Sequence, residues 1–443
     1  MCKIPPKGLV QALSPYWHRQ PKTNIDLNDV VKERAFLDLK AYCVANYEKM
    51  DGGMFSSHPL ATVLCLLGVP FVGKGQSAPN SLLDVATKLD EALTRTQTTR
   101  VHLCPLDCAD HIEPFQFGNA EIRRFSASEL EQLLNVSQYQ RLSYYKPSDL
   151  EALSRFTWLI VWEQAELALS VSHRNHDFLV KGLQRDYGEI APYYQRYPKV
   201  FNTALFGLLL APWEEWVTHV EVDWKAFHVK WVHTVESDLL TSPKFIPDAD
   251  TLSWDYKYYE DDGKEHEVYA PYEYPSYCSK SELETIVNNQ LMININTARV
   301  KGLINEAARH HFLKAFLSDG IDEFLAHIVV IDACLGEPRE LKGKFNFTKQ
   351  QNKMGFTKRL ECRLAGLLGD AGLIDELDTL YDLRSTYVHG LNMHTISGSQ
   401  KNRARVLARK TLLEITRIVE TNPGITKRDF LVEMLDRGMS LVE

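Results

Sequence analysis

Residues 373–390 read LIDELDTLYDLRSTYVHG, and this stretch decides how the last third of the chain is read. It predicts a helix over Leu373–Tyr387 that runs into His389-Gly390, with glycine as the stop signal. Working outward, the same pattern repeats. Thr357–Leu368 predicts a helix closed by Gly369. Ile321–Leu335 predicts another, closed by Gly336 and Pro338. Ser281–Leu317 carries long helical periodicity with few breakers, and Arg403–Glu420 adds a further helix. A charged loop, Arg339–Lys358, lies between two of them. Residues 279–443 therefore predict an all-α domain with a leading linker helix.

Upstream the character differs. Residues 1–150 mix helix and strand signals. Asp26–Met50 predicts a helix from Val30, Val31, Ala35, Phe36, Leu39 and Tyr42. Leu60–Leu67 is an apolar segment of undecided type. Leu82–Leu93 predicts a helix capped by Ser81 or Asn80, and Ser126-Ala127-Ser128-Glu129 has the form of a capping box. Arg100–Pro105 and Phe115–Phe125 read as strands. Residues 151–278 are β-rich in prospect: Phe156–Trp162 reads as a strand, Val200–Leu210 as a buried helix, and aromatic-rich Trp213–Val235 as sheet-forming. Leu252–Tyr269 predicts a hairpin about Asp261-Asp262-Gly263, followed by a linker or edge loop with Pro271 and Pro275. The expected class is α+β: a mixed, sensor-like N-terminal region followed by a helical bundle.

A chain of 443 residues with 44% hydrophobic and 24% charged residues fits a globular protein of several domains. A net charge of −8 argues against a surface wholly coated with nucleic acid and permits a local basic site. No apolar run reaches the roughly 20 residues of a membrane span. Eight scattered cysteines suit free thiols in a reducing compartment. The expectation is a cytoplasmic protein that needs no membrane.

Arg384 and His389 are the residues with chemistry to offer. Such residues are ordinary at helix ends, where an arginine is a solvated side chain and a histidine before glycine partners the C-cap. On an ideal helix they lie about 140° apart, so they share a cleft only if a partner helix packs between them or the helix loosens toward Gly390. Together they suit phosphodiester cleavage. Arginine holds anionic oxygens through paired hydrogen bonds, and histidine moves a proton near neutral pH. RNA supplies its own 2′-hydroxyl nucleophile, so no metal or cofactor is required.

The run LYDLRSTYVHGL resembles the signature of Apea-like HEPN domains, an arginine, four to six residues, then histidine, often followed by glycine. TKRLECRLAGLLG (357–369) is similar to the helix that precedes that motif, and FLAHIVVIDACLG (324–336) to the first core helix, where Asp332 occupies an acidic position. The resemblance covers residues 300–425. It implies a four- or five-helix bundle that forms a homodimer through this domain, with two motifs facing one another. It also implies a metal-independent endoribonuclease of an antiviral-defence or toxin system, cutting transfer or messenger RNA. His389 would be the general acid or base and Arg384 the phosphate holder, with Ser385, able to donate to a phosphate, and Asp332 completing the catalytic set. Active members often carry Asn, Asp or His after the arginine, whereas this chain has Ser385. That departure keeps a catalytically inactive scaffold, for dimerisation or RNA binding, as the alternative. The N-terminal region would sense a phage-derived or cellular trigger.

Basic residues flank the motif: Arg339, Lys342, Lys344, Lys349, Lys353, Lys358, Arg359 and Arg363 before it, and Lys401, Arg403, Arg405, Arg409 and Lys410 after it. Lys353, Lys358, Arg359, Arg363 and Arg405 are the expected RNA contacts. They are equally explained as a soluble, lysine-rich face.

Other patterns are weaker. Gly68–Gly75 matches most of a phosphate-binding loop, yet Gly75 stands where Ser or Thr should hold magnesium. His102, Cys104, Cys108 and His111 cluster without a standard zinc spacing, and buried thiols explain them as well. His310 and His311 point about 100° apart and cannot share one metal. The aromatic and acidic segment Trp254–Tyr274 could form a partner surface, and half-buried sheet is the reading adopted. Residues 102–134 loosely resemble regions attached to Apea-like domains, which suggests a regulatory module.

Overall fold

The structure, a computed structural model, describes residues 4–18, 27–70, 72, 80–167, 170–174, 197–218, 224–261, 264–341, 345, 347–390 and 396–442. The chain mixes helix and strand, 55% and 13%, and its C-terminal region is helical. In chain order the elements begin with helices Lys7–Leu13 (α1), Leu27–Val30 (α2), Arg34–Asn46 (α3), Ser57–Leu66 (α4) and Leu82–Thr94 (α5). Strands Gln97–Pro105 (β1), Phe115–Phe117 (β2) and Ala120–Arg123 (β3) follow, then helices Ala127–Leu133 (α6), Val136–Tyr139 (α7) and Leu150–Ser154 (α8). Next come Trp158–Glu166 (β4), Lys199–Leu208 (α9), Trp213–Trp216 (α10), His233–Glu236 (β5), Trp254–Asp261 (β6) and Lys264–Pro271 (β7). The remainder is helical: Lys280–Ile286 (α11), Asn289–Val300 (α12), Glu306–Phe316 (α13), Gly320–Leu335 (α14), Pro338–Leu341 (α15), Lys349–Asn352 (α16), Phe356–Leu368 (α17), Leu373–Val388 (α18), Gly398–Thr421 (α19) and Lys427–Ser440 (α20).

These elements form two compact units, each assembled from separated stretches. The first contains Met1–Pro105, Arg124–Ile190 and Lys230–Pro271; the second contains Leu106–Arg123, Ala191–Val229 and Tyr272–Glu443.

In the first unit β1 lies between β4 and β5, antiparallel to both, with Leu103 opposite Ile160 and Val101 opposite Val235. Trp158, Ile160 and Leu103 bury one sheet face against Leu130, Leu153 and Phe156 from the α6–α8 region. The capping box at Ser126 and Glu129 fixes where α6 begins. A second core gathers α1, α3, α4 and α5 around Leu9, Phe36, Leu64 and Leu89, all fully buried. Fully burying such side chains contributes about 1.5–3 kcal/mol each.

Two expectations change here, and one open segment takes a definite form. The helix expected over 26–50 is broken, because Glu33 takes an extended backbone and starts α3 afresh. The undecided Leu60–Leu67 run is helical. Every residue from Pro59 to Leu66 is buried, so no polar face marks a period. Trp213–Val235 is not mainly sheet. Trp213–Trp216 is a helical turn, and among the described residues only the strand His233–Glu236 overlaps the stretch. Glu214 and Glu215 of that turn are drawn to Arg409.

In the second unit, Phe206 packs edge-on to Phe312, Trp213 packs edge-on to Phe227, and Phe227 meets Phe316 at a tilt. Ser281–Leu317 resolves into three helices rather than one, because Asn288 and Asn305 each cap a new start. The helices expected over 321–335, 357–368, 373–387 and 403–420 are present as α14, α17, α18 and α19. A helix not expected from the sequence, α20, packs on α17 at a very close crossing. An added Cβ at Gly366 would overlap the Met434 carbonyl oxygen, and one at Gly438 the Cys362 carbonyl oxygen. Among the described residues, no helix is long and apolar enough to cross a membrane.

Candidate functional site

Helix α18 carries the motif and α14 supplies its acidic partner. Leu373, Ile374, Leu377, Leu380 and Tyr381 bury one side of α18. That leaves Arg384, Ser385 and His389 toward solvent, with Ser385 and His389 exposed and Arg384 41% exposed. The α14 helix is fixed by Phe324, Ile328 and Ile331, all fully buried, which holds Asp332 against α18.

Asp332 receives two groups from α18. The Tyr381 hydroxyl donates to one carboxylate oxygen, and Arg384 approaches the other at 3.9 Å. Tyr381 and Arg384 are three positions apart and so share a helix face. Burial raises the Asp332 carboxyl above its ordinary value of 3.8, against the lowering pull of the Tyr381 bond and Arg384. Burial, then the neighbouring carboxylate, pushes the Tyr381 phenol well above its ordinary range. Tyr381 was not singled out from the sequence. Its signal was its position one turn before Arg384 in the same run.

The helix does not loosen between the two motif residues. His389 closes α18 as its C-cap, and its backbone N–H donates to the Ser385 carbonyl at 3.0 Å. Only the next residue, Gly390, turns into the left-handed region at φ 66°. Arg384 and His389 therefore keep the angular separation of a helix, about 140°. The structure brings Asp332, Tyr381 and Arg384 together and leaves the imidazole of His389 outside that cluster.

The expected RNA contacts are largely corrected. Arg363 is fully buried; it pairs with Glu340 at 2.7 Å and donates to the carbonyls of Leu335 and Leu431. Arg359 is also buried, pairs with the same Glu340 at 3.0 Å and stacks over Phe347. Arg405 pairs with buried Glu323 at 2.7 Å and lies over the Trp224 ring at 3.9 Å. A buried carboxylate needs such a cation, so these arginines cross-link helices and do not face a ligand. Lys358 is exposed but tied at 2.9 Å to the buried Glu361. Lys353 is exposed and, among the described residues, in no ion pair. Arg409 is held by Glu214 and Glu215, and Arg403 by Glu376. Lys342 and Lys344 lie outside the described residues.

Of the other patterns, Gly68 ends α4 at φ 70° beneath the Arg141 guanidinium, while Gly73, Lys74 and Gly75 lie outside the described residues. His102 bonds Thr234 and Glu163. Cys104 and Cys108 are buried free thiols. Among the described residues, no group of three His, Cys, Asp or Glu side chains could hold a metal ion. No protein-family model, no curated protein and no solved structure matches the chain.

Proposed function

We propose that the C-terminal helices form an Apea-like HEPN domain, and that the protein is a metal-independent endoribonuclease acting as a cytoplasmic defence or toxin effector. The observation that carries this reading is the orientation of Arg384 by Asp332, itself anchored by Tyr381, one turn and a half before a solvent-open His389. An arginine so held keeps N–H groups for a phosphate. The wide angle between Arg384 and His389 favours a site made by two copies of the chain, in which each motif supplies what the other lacks. In that cleft a 2′-hydroxyl attacks phosphorus and the 5′-oxygen leaves. One imidazole takes the hydroxyl proton and the other returns a proton to the leaving oxygen. The products are a 2′,3′-cyclic phosphate and a 5′-hydroxyl.

A second reading, a catalytically inactive scaffold, is favoured by one observation. Arg359, Arg363, Arg405 and Arg409 are consumed by internal carboxylates, which reduces the basic surface left for RNA. Incubation of total RNA with the purified protein in EDTA separates the two. Fragments ending in cyclic phosphate support the nuclease. Intact RNA, together with harmless overexpression in cells, supports the scaffold.

A further inference from the structure

The first unit contains a cleft of about 860 Å³ unrelated to the motif on α18. Its walls carry four carboxylates, Asp149, Glu151, Asp248 and Asp250, against one guanidinium, Arg155, and its floor is the rings of Trp254 and Tyr269. Among the described residues none of the four carboxylates is in an ion pair; Asp149 uses one oxygen to cap α8 through the Ala152 N–H at 2.9 Å.

The floor continues outward along the β6–β7 hairpin. Trp254 and Tyr269 stack at 5.3 Å, and Tyr256 meets Tyr269 at 4.9 Å. Tyr258, on the same face, donates to Glu267 at 2.7 Å. Tyr256 and Tyr258 are 55% and 63% exposed, so the ladder is not a core. Farther along, Glu260 sits directly opposite Glu265. Like charges facing across a strand pair destabilise a hairpin unless a cation lies between them. Among the described residues neither glutamate has an ionic partner. Arg155 shows what the rings accept: its guanidinium lies 5.9 Å from the Trp254 centroid and donates to the Tyr269 carbonyl at 2.7 Å.

We propose that this cleft and aromatic ladder bind an extended, arginine- or lysine-bearing segment of a partner protein. Guanidinium and ammonium groups are attracted to ring faces and to carboxylates together. The track from Trp254 to Glu260 runs about 20 Å at the rise of a strand, the span of a short extended peptide rather than of one small cation. Among the described residues the sheet has two strands, β6 and β7, so an added strand can pair with an outer edge. The carboxylates repel nucleic acid, which separates this site from any RNA-binding surface.

The test is fluorescence anisotropy with the full chain and a short labelled peptide alternating arginine and serine, at low salt. Saturable binding is expected, weakened about tenfold in Glu260→Gln/Glu265→Gln and again in Asp248→Asn/Asp250→Asn. Replacing the Glu260–Glu265 pair relieves a repulsion, so loss of fold does not account for the lost binding of that variant. The same peptide with glutamate in place of arginine should not bind. Absence of saturable binding, or binding unchanged in both variants, overturns the proposal. Displacement by spermine at equal charge, as effective as by unlabelled peptide, overturns it in favour of simple polyamine capture.

Discussion

Arg384 stands 3.9 Å from Asp332, one residue on α18 and the other on α14, with the Tyr381 hydroxyl bound to the second oxygen of the same carboxylate. Arg384 is 41% exposed and the contact is long, so the net energy of the pair is small, yet it fixes where the guanidinium points. Asp332→Asn keeps an acceptor for Tyr381 and removes the charge facing Arg384. RNA cleavage should fall about tenfold, the cost of losing one well-placed charge contact. Burial raises the Asp332 carboxyl in the folded state. Its contribution to stability is therefore full below the unfolded value of 3.8 and lost as pH rises through the raised value. The Asn variant should gain stability relative to the parent as pH rises. Melting curves across that range check this, and a gap independent of pH contradicts it.

Two buried histidines set the acid side of the stability profile. Burial, aided by Lys244, pushes His233 down to about 4, and burial, aided by Arg405, pushes His327 down to about 3, from 6.5. The unfolded chain takes up these protons first. The stability the neutral rings contribute is full above 6.5 and lost as pH falls from there to about 4 and about 3. For His233 alone the loss is about 3 kcal/mol. Urea unfolding at neutral pH and near pH 5 should show the decline. His233→Gln and His327→Gln should each flatten it.

Arg363 distinguishes a structural cation from a ligand contact. It is fully buried against Glu340 and two carbonyls. Arg363→Ala strands that carboxylate with Arg359 alone and should cost about 3–5 kcal/mol. An unchanged melting temperature with weaker RNA binding would return Arg363 to the RNA surface.

The α17–α20 crossing depends on two missing side chains. A methyl at Gly438 meets the Cys362 carbonyl oxygen, and one at Gly366 the Met434 carbonyl oxygen. Backbone does not yield as a side chain tip does. Gly438→Ala should therefore destabilise by more than the 1–3 kcal/mol typical of overpacking, on the order of 3 kcal/mol or above. Circular dichroism melts of this variant, beside the exposed Gly398→Ala, provide the comparison.

Long periodic helices were readable because one polar face marks the period and a glycine or cap marks the end. Gly369 does this for α17 and Ser126 for α6. The expected hairpin is present as the β6–β7 pair, Trp254 opposite Pro271 through Asp261 opposite Lys264, while Asp262 and Gly263 themselves lie outside the described residues. Where both faces are buried the period vanishes, as in α4. Membership of the two units was not readable, because Leu106–Arg123 folds with residues far along the chain. At the candidate site the identity of Arg384 and His389 was legible. The fate of the neighbouring arginines was not, because a lone carboxylate such as Glu340 or Glu323 gives no sign in sequence that it will be buried and claim them. Tyr381 entered only once the Asp332 contact was visible.

The most direct measurement compares the RNA cleavage rates of the parent, His389→Ala and Arg384→Ala in EDTA, with melting temperature as the control for folding. The parent should cut RNA to cyclic-phosphate ends, and each variant should cut at least about 100-fold more slowly at parental stability. Either variant cutting at the parental rate contradicts the proposed nuclease.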